Sequence, residues 1–377
     1  MTTLRRKLAL WVGASVLLVL AASAVILSHD APCKAPPALV PGVIPMKAVV
    51  RRCYGPPEVL KLEEIARPVP RDNQLLVKIH AASVNPADWH MVRAEPYIIR
   101  LDTGVGAPRN PRVGIDFAGT VEAIGKDVTR YKVGEAVFGG RNGALAEYLV
   151  INEDGNLATI SSSISFEQAA GINVAGLTAL QALRDRASVK RGQKVLINGA
   201  SGGVGTFAVQ IAKWLGAEVT AVCSTRNMDL VRSLGADHVI DYTRSDFTRS
   251  AERYDLLLDN VANRGVLEMR GILKPQGKLL IVGGGGPDAN PWGGALWAPI
   301  KAFVIAWFVD QDVTFFLSHS SSEDLATLAR LMEKGTIRTV VDRRYPVAET
   351  SEAMRYLETG RARGKVIVTI DPGSVSK

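Results

Sequence analysis

Cysteine and histidine are scarce in this sequence, and charge rarely gathers into runs. Only three of the 377 residues are cysteine (Cys33, Cys53 and Cys223) and five are histidine. Three separated cysteines are too few for a disulfide framework or a cysteine-rich zinc site, and they say little about redox compartment. His80, His90 and His319 stand singly. A catalytic zinc needs three suitable protein ligands converging on it, so each reads as structural. Basic residues outnumber acidic ones by 45 to 37, yet only Arg5-Arg6-Lys7 forms a run. Charge scattered in this way leaves no nucleic-acid footprint. There is no internal repeat. The composition, 47% hydrophobic and 22% charged residues over a length that suits two domains, describes a globular protein.

One stretch lacks charge altogether. Leu8 to Leu27, "LALWVGASVLLVLAASAVIL", follows the basic run directly. Twenty helical residues span about 30 Å, the hydrocarbon thickness of a bilayer. A cleavable signal peptide has a shorter apolar core, roughly 7–15 residues, so a transmembrane signal anchor over 8–27 is the expectation and a signal peptide the alternative. The next stretch, "SHDAPCKAPPALVPGVIP", is Pro-rich and reads as an extended linker. Residues 1–45 are thus anchor and linker, and the folded body starts near Met46.

From Met46, short β-branched runs broken by Gly, Pro and Asn predict antiparallel β structure. The texture changes at Ser165, where "SFEQAAGINVAGLTALQAL" reads as helical. Strand-like runs then alternate with helical ones at Val195–Ile197, Val219–Val222, His238–Ile240, Leu256–Asp259 and Lys278–Val282. Such alternation predicts an α/β fold with a doubly wound parallel sheet. "KVIVTI" near the C-terminus is one more strand.

Between the first two of these strands stands Ala200-Ser201-Gly202-Gly203-Val204-Gly205. A dinucleotide fingerprint asks for Gly-x-Gly-x-x-Gly; Ala200 takes the first place, while Gly202 and Gly205 keep the others. Gly202 removes a side chain where a pyrophosphate approaches the helix N-terminus, and Gly205 lets that helix pack closely. An NAD-selective site carries a carboxylate about 20 residues after the glycines. This chain instead has Cys223-Ser224-Thr225-Arg226-Asn227. The Ser224 hydroxyl and Arg226 guanidinium suit a 2′-phosphate, so NADPH is the expected cofactor. The alternative leaves Arg226 as a solvated loop residue.

Seven motifs carry a resemblance: "MKAVV…YGPPEVL", "ASVNPADW", "GIDFAGTVEAIGKDVTRYKVGEAVFG", "AGLTAL", "GASGGVG", "LGADHVIDY" and "GRARGKVIV". In that order they resemble a zinc-independent medium-chain dehydrogenase/reductase of the quinone oxidoreductase type, in the reticulon-4-interacting-protein-like branch. The resemblance implies a GroES-like β-barrel domain over 46–165, a Rossmann NADP-binding domain over 166–311, and a return to the barrel domain over 312–377. It places cofactor and acceptor in the cleft between them. It also implies that Thr178 and Gly283 lie near the nicotinamide, Tyr242 near the adenine, and Lys365 closes on the cofactor. For Tyr242 the alternative is an edge aromatic, and for Lys365 a salt bridge at the strand start.

Zinc-dependent relatives carry a ligand Cys where this chain has Asn85, and Gly-His-Glu where it has Gly114-Ile115-Asp116. No metal is therefore expected. Hydride delivery then calls for an electron-poor acceptor, a quinone or an α,β-unsaturated carbonyl, with the protein supplying orientation and hydrogen bonds. Asn85 is the candidate donor to the developing oxyanion and Asp88 its orienting partner; alternatively Asn85 only shapes an Asn-Pro turn. NADP-dependent alcohol dehydrogenation and a non-enzymatic NADPH-binding scaffold are the other functional readings. The apolar stretch Pro291–Phe316 is expected to wall a pocket, form a homodimer contact or touch a membrane. Arg5, Arg6 and Lys7 favour a cytoplasmic N-terminus with the body outside, but NADPH is a cytoplasmic metabolite. A membrane-bound protein with its catalytic body in the cytoplasm is the expectation, and translation from Met46 the alternative.

Overall fold

The structure, a computed structural model, describes residues 11, 15, 17–19, 21–284, 286, 290–293, 300, 303, 305, 307 and 311–370. Strands β1 (Pro45–Val50) and β2 (Lys61–Ala66) pair antiparallel. Five more follow: β3 (Gln74–Val84), β4 (Asp116–Ile124), β5 (Ala136–Gly140), β6 (Tyr148–Asn152) and β7 (Leu157–Thr159). Helix α1 (Pro86–Arg93) starts where β3 stops. Asn85 is held extended by the proline after it, and Pro86 is preset for the first helical turn. The Asp88 carboxylate, one turn in, accepts the Asn85 backbone N–H at 2.8 Å. This turn chemistry fixes two candidate site residues before any tertiary contact is counted.

Helix α2 (Asn173–Leu180) leads into the second layer. Strand β8 (Lys194–Asn198), helix α3 (Gly203–Trp214), then β9 (Glu218–Cys223), β10 (His238–Asp241), β11 (Tyr254–Asp259), β12 (Leu273–Ile281) and β13 (Asp312–Phe315) follow. The six strands are all parallel, in the order β10-β9-β8-β11-β12-β13. Each strand predicted from the alternation is present. β13 was not foreseen: it belongs to this sheet yet lies beyond the boundary expected at residue 311. Its four residues sit at the end of an apolar stretch, where periodicity cannot separate a buried strand from helix. Half of that stretch lies outside the described residues; Ile300, Phe303 and Trp307 are exposed.

Helix α4 (Ser322–Glu333) lays Leu325 and Leu328 in the same core as Val195, Ile197 and Ala175. Ala118 and Phe138 from the first layer belong to that core too, so the two domains share buried apolar surface. Strand β14 (Val341–Pro346), helix α5 (Thr350–Glu358) and strand β15 (Lys365–Thr369) return the chain to the first layer. The seven-stranded sheet there has the order β14-β15-β3-β4-β5-β7, with β6 pairing β3. β15 runs antiparallel to β3, with Val366 opposite Val84. The first residue of β15 therefore sits beside the end of β3, and Lys365 beside Asn85.

The N-terminal expectations need correction. Among the described residues no helix is long and apolar enough to cross a membrane. Eight of the twenty residues of the span expected over 8–27 lie outside the described residues, and residues 21–28 form its described helical end. The Pro-rich stretch after that helical end is no free linker. Arg100 is 1% exposed. Its guanidinium donates to the carbonyls of Leu27 (2.8 Å) and His29 (3.2 Å), pairs with Asp30 (2.9 Å) and covers the Tyr54 and Tyr97 rings. Ala31 N–H donates to the Gly106 carbonyl at 2.9 Å. This docking brings Cys33 to Cys53, and the two form a disulfide with Cα atoms 4.6 Å apart. Twenty residues of separation concealed that pairing. With the disulfide removed by Cys33→Ser, a further Arg100→Met change should cost about 2–3 kcal/mol of stability, the scale of bonds to a charged donor. Limited proteolysis should then cut first between Asp30 and Ile44; unaltered cleavage and melting would dismiss Arg100 as the clamp.

Candidate active site

The glycine-rich turn lies at the switch point of the parallel sheet, where β8 is flanked by β9 on one side and β11 on the other. Ligands of such sheets bind outside the carboxyl ends of the strands at this point. The turn is made by Gly199, whose φ of +74° places it in the left-handed region. The first glycine role thus belongs to Gly199 and not to the position of Ala200, one residue later. At Gly205 a Cβ would meet the Gly199 carbonyl and, at 2.7 Å, the Ala200 backbone. Only glycine lets α3 approach this closely. Gly202 caps that helix without a side-chain bond, and the N–H groups of the first turn of α3 have no intrahelical partner. Ser201 and Val204 border the same turn. The Ser201 carbonyl accepts the Gly364 N–H at 2.8 Å, which ties the turn to the start of β15.

From that start the Lys365 side chain turns into the protein, 3% exposed, to a cluster of buried polar groups. Its Nζ donates to Asn85 Oδ1 and to Asp116 Oδ2, the latter at 3.4 Å. Asp116, fully buried on β4, is the hub. Its Oδ2 also accepts from Ser83 Oγ (2.9 Å) and Asn85 Nδ2 (2.9 Å). Its Oδ1 accepts from Asn173 Nδ2 (2.8 Å) and the Val174 N–H (3.2 Å). Asn85 Nδ2 also donates to Asp88 Oδ2 at 3.4 Å. An ammonium needs acceptors and carboxylates need donors, so the Asn85 amide has only this orientation open to it. Both of its N–H groups are directed at carboxylates. The sequence marked Asn85, Asp88 and Lys365 separately; it passed over Asp116 as a hub, and Ser83 and Asn173 entirely.

Burial, and next the nearby Asp116 charge, raise the Asp88 carboxyl to about 7. Among the described residues its Oδ1 has no hydrogen-bond partner, and neither do Nε and Nη1 of the buried Arg51. Burial lowers the Arg51 guanidinium to about 10. Arg51 and Asp88 line one tight void together with Met91, Arg112 and Asn142.

The remaining sequence candidates separate into two places. Ser224 caps the short turn after β9, where its Oγ accepts from Asn227 Nδ2 at 3.3 Å; the same amide donates to Ser201 Oγ at 2.9 Å. Arg226 is exposed and donates to the Arg361 carbonyl at 2.6 Å, across the loop before β15. A carboxylate is close after all. Asp241, at the end of β10, accepts from the Thr225 hydroxyl and from Thr243 N and Oγ1, at 2.9 and 2.7 Å. It comes from the neighbouring strand, so a search for acid at the end of β9 alone misses it. Tyr242, beside it, is half exposed. Near the buried cluster, Thr178 Oγ1 donates to the Val174 carbonyl (2.6 Å) and meets Ser318 Oγ (2.9 Å). Gly283 follows β12, and a Cβ there would lie 2.5 Å from the Asn260 carbonyl oxygen.

A divalent metal does not suit this donor set. The Lys365 ammonium stands against Asn85 and Asp116, the Asp116 oxygens are engaged by five donors, and the cluster contains neither cysteine nor histidine. His80 Nε2 pairs with the Thr120 hydroxyl, and His90 Nδ1 with the Glu95 carbonyl. Among the described residues no group of three or more His, Cys, Asp or Glu is arranged to hold a metal ion.

Comparison with known proteins gives a consistent picture. Residues 71–162 match the family model described as alcohol dehydrogenase GroES-like domain, and residues 234–368 the one described as zinc-binding dehydrogenase. The trans-enoyl reductase pgmF of Aspergillus terreus is 37% identical over 316 residues, 79% of this chain and 87% of its own. The mouse mitochondrial NAD(P)H oxidoreductase RTN4IP1 is 32% identical over 359 residues, 86% and 89% of the two chains. Among solved structures, the quinone oxidoreductase from Coxiella burnetii matches with a TM-score of 0.75 and 31% identity, over 87% of this chain and 100% of that one.

The raised Asp88 carboxyl makes stability depend on pH. Its ordinary value of 3.8 applies to the unfolded chain and about 7 to the folded one. Between those values the folded state binds the extra proton, so its contribution is complete below pH 4 and disappears as pH rises through 7. Asp88→Asn should flatten that fall, which in the wild type amounts to roughly 3–4 kcal/mol. Urea titrations of both proteins between pH 4 and 8 measure it; parallel curves would refute the assignment.

Proposed function

The chain belongs to the medium-chain dehydrogenase/reductase family and is an oxidoreductase, and from that premise we propose that it reduces quinones or α,β-unsaturated carbonyls with NADPH and without zinc. One observation carries this reading: a buried ammonium, and not a set of metal ligands, occupies the polar cluster next to the dinucleotide turn. When bound, the reduced nicotinamide supplies a hydride. The N-terminal turn of α3 holds the pyrophosphate, with Gly202 leaving room for it. Ser224 and Arg226 take the 2′-phosphate, and three hydrogen bonds already occupy the nearby Asp241 carboxylate. Thr178 and Gly283 border the nicotinamide, and Tyr242 the adenine. The relatives named quinone oxidoreductase and trans-enoyl reductase support the two acceptor classes. Alcohol oxidation is disfavoured, because it calls for a Lewis acid that this donor set does not accommodate.

Residues 8–27 belong to the same proposal as a membrane anchor, on the strength of their uncharged length, with the body facing the NADPH pool. Disulfides persist in oxidising compartments, so the Cys33–Cys53 pair gives a direct assay of that side. Alkylation under denaturing conditions, immediately after lysis, that labels both thiols without reductant would place the body on the reducing side. Labelling only after reduction would put the body on the oxidising side, and a product recovered in the soluble fraction would remove the anchor.

A steady-state panel of quinones, enals and alcohols with both cofactors tests the chemistry. NADPH should outperform NADH, activity should survive chelators, and the purified protein should hold no stoichiometric zinc. Arg226→Ala should cost on the order of 1.5–3 kcal/mol of NADPH binding and little for NADH. Equal use of the two cofactors by the wild type, or zinc-restored activity, would refute the respective part.

A further inference from the structure

We propose that Lys365 is a catalytic residue, a built-in cation whose ammonium binds the oxygen of the acceptor as negative charge develops there. The inference rests on the reductase reading above and reverses the role that the resemblance implies for Lys365, which is to contact the cofactor. Three observations support it. An ammonium has three N–H donors, and among the described residues Nζ has two acceptors, one of them as far as 3.4 Å. A donor remains for a third oxygen. Next, the side chain is nine-tenths buried and more, and among the described residues its ion pair is with Asp116, so water does little to weaken its pull on a nearby oxyanion. Finally, Asn85 cannot fill this role in its present state, because both amide hydrogens point at carboxylates.

The placement also gives the ammonium a reason to be near the reacting atoms. The Gly364 N–H bonds to the Ser201 carbonyl of the dinucleotide turn, and the Lys365 stem passes Gly203, where a Cβ would lie 3.4 Å from Cδ. The backbone of Lys365 is thus fixed to the dinucleotide turn, while Nζ is fixed to Asn85 and Asp116 in the barrel domain. In the step itself, hydride adds to the electron-poor carbon of the acceptor. The conjugated π pair moves onto the acceptor oxygen, and the oxyanion takes a hydrogen bond from Lys365 Nζ. A proton from water completes the reduced product, and Lys365 keeps its own.

Two kinds of measurement test this, using full-length protein. The first compares acceptors for wild type and Lys365→Met. An enone gives a basic enolate and should lose about 10²-fold in kcat/KM, the scale of one missing oxyanion donor. A benzoquinone gives a far less basic hydroquinone anion and should lose no more than about tenfold, while NADPH affinity stays within about twofold. Lys365→Met leaves Asp116 buried and unpaired, so Asp116→Asn/Lys365→Met, which removes both charges together, provides a folded comparison. The second measurement needs no turnover. In the NADP+ complex, 4-nitrophenol should bind as the phenolate at a pH where it is mostly protonated in water, and its visible band should vanish in both variants. Equal losses for the two acceptors, a tenfold weaker NADPH affinity, or a phenolate band that survives the substitution would each overturn the proposal. If the wild type reduced neither acceptor, the reductase reading would fall, and the phenolate titration would still decide on Lys365.

Discussion

The buried pair of Asp116 and Lys365 is the constraint around which the rest of the site is arranged. A carboxylate with no exposure is tolerated only when its lone pairs are filled and its charge is met. Here the filling groups come from four separate elements: Ser83 on β3, Asn85 at the start of α1, Asn173 and Val174 on α2, and Lys365 on β15. Each Asp116 oxygen accepts from at least two of these donors, so the four elements are held to one another through it. β15 must therefore come back to β3 at the end of the chain, in the register that sets Val366 opposite Val84. The order of the strands and the electrostatics of the site impose the same requirement.

Because Lys365 is tied at both ends, that requirement reaches the cofactor side. Gly364 is bonded to the dinucleotide turn and the ammonium to the barrel sheet. Two domains that share one apolar core, with Ala118 and Phe138 packed among the residues of β8 and α2, are thus also joined by one polar thread. Packing sets the distance between the layers, and the thread sets which side chains meet across it. Hydrophobic burial is non-directional. The direction has to come from hydrogen bonds.

This division explains what could be read from the sequence. The alternation of strand-like and helical runs follows from burial, a local and periodic signal, and it located five parallel strands. The glycine-rich turn was legible for a similar reason, since small residues between a strand and a helix report a close approach. Gly199 escaped because the fingerprint fixes spacing, while the left-handed φ occurs one residue earlier. The meeting of Lys365 with Asp116, 249 residues apart, leaves no local trace. The same holds for Asp241 beside Thr225 and for the clamp of Arg100 on the N-terminal arm. Asn85 shows the limit most clearly. Its type suited an oxyanion donor, but which partners claim its amide depends on residues that only the fold brings near.

The two acids of the cluster differ because their surroundings do. Asp116 has five donors, one of them a cation; Asp88 shares one oxygen between two donors from Asn85 and, among the described residues, leaves the other unpartnered. Burial without full solvation favours the neutral acid, and the neighbouring Asp116 charge adds to that preference. A protonated Asp88 leaves the cluster with one negative charge, on Asp116, against one positive charge, on Lys365. An ionised Asp88 would add a second negative charge and oppose any oxyanion forming nearby. Below about pH 7, where Asp88 is mainly neutral, a single lysine can thus act as the cation of the site. The burial that raises Asp88 and the pairing that balances Asp116 are two halves of one arrangement.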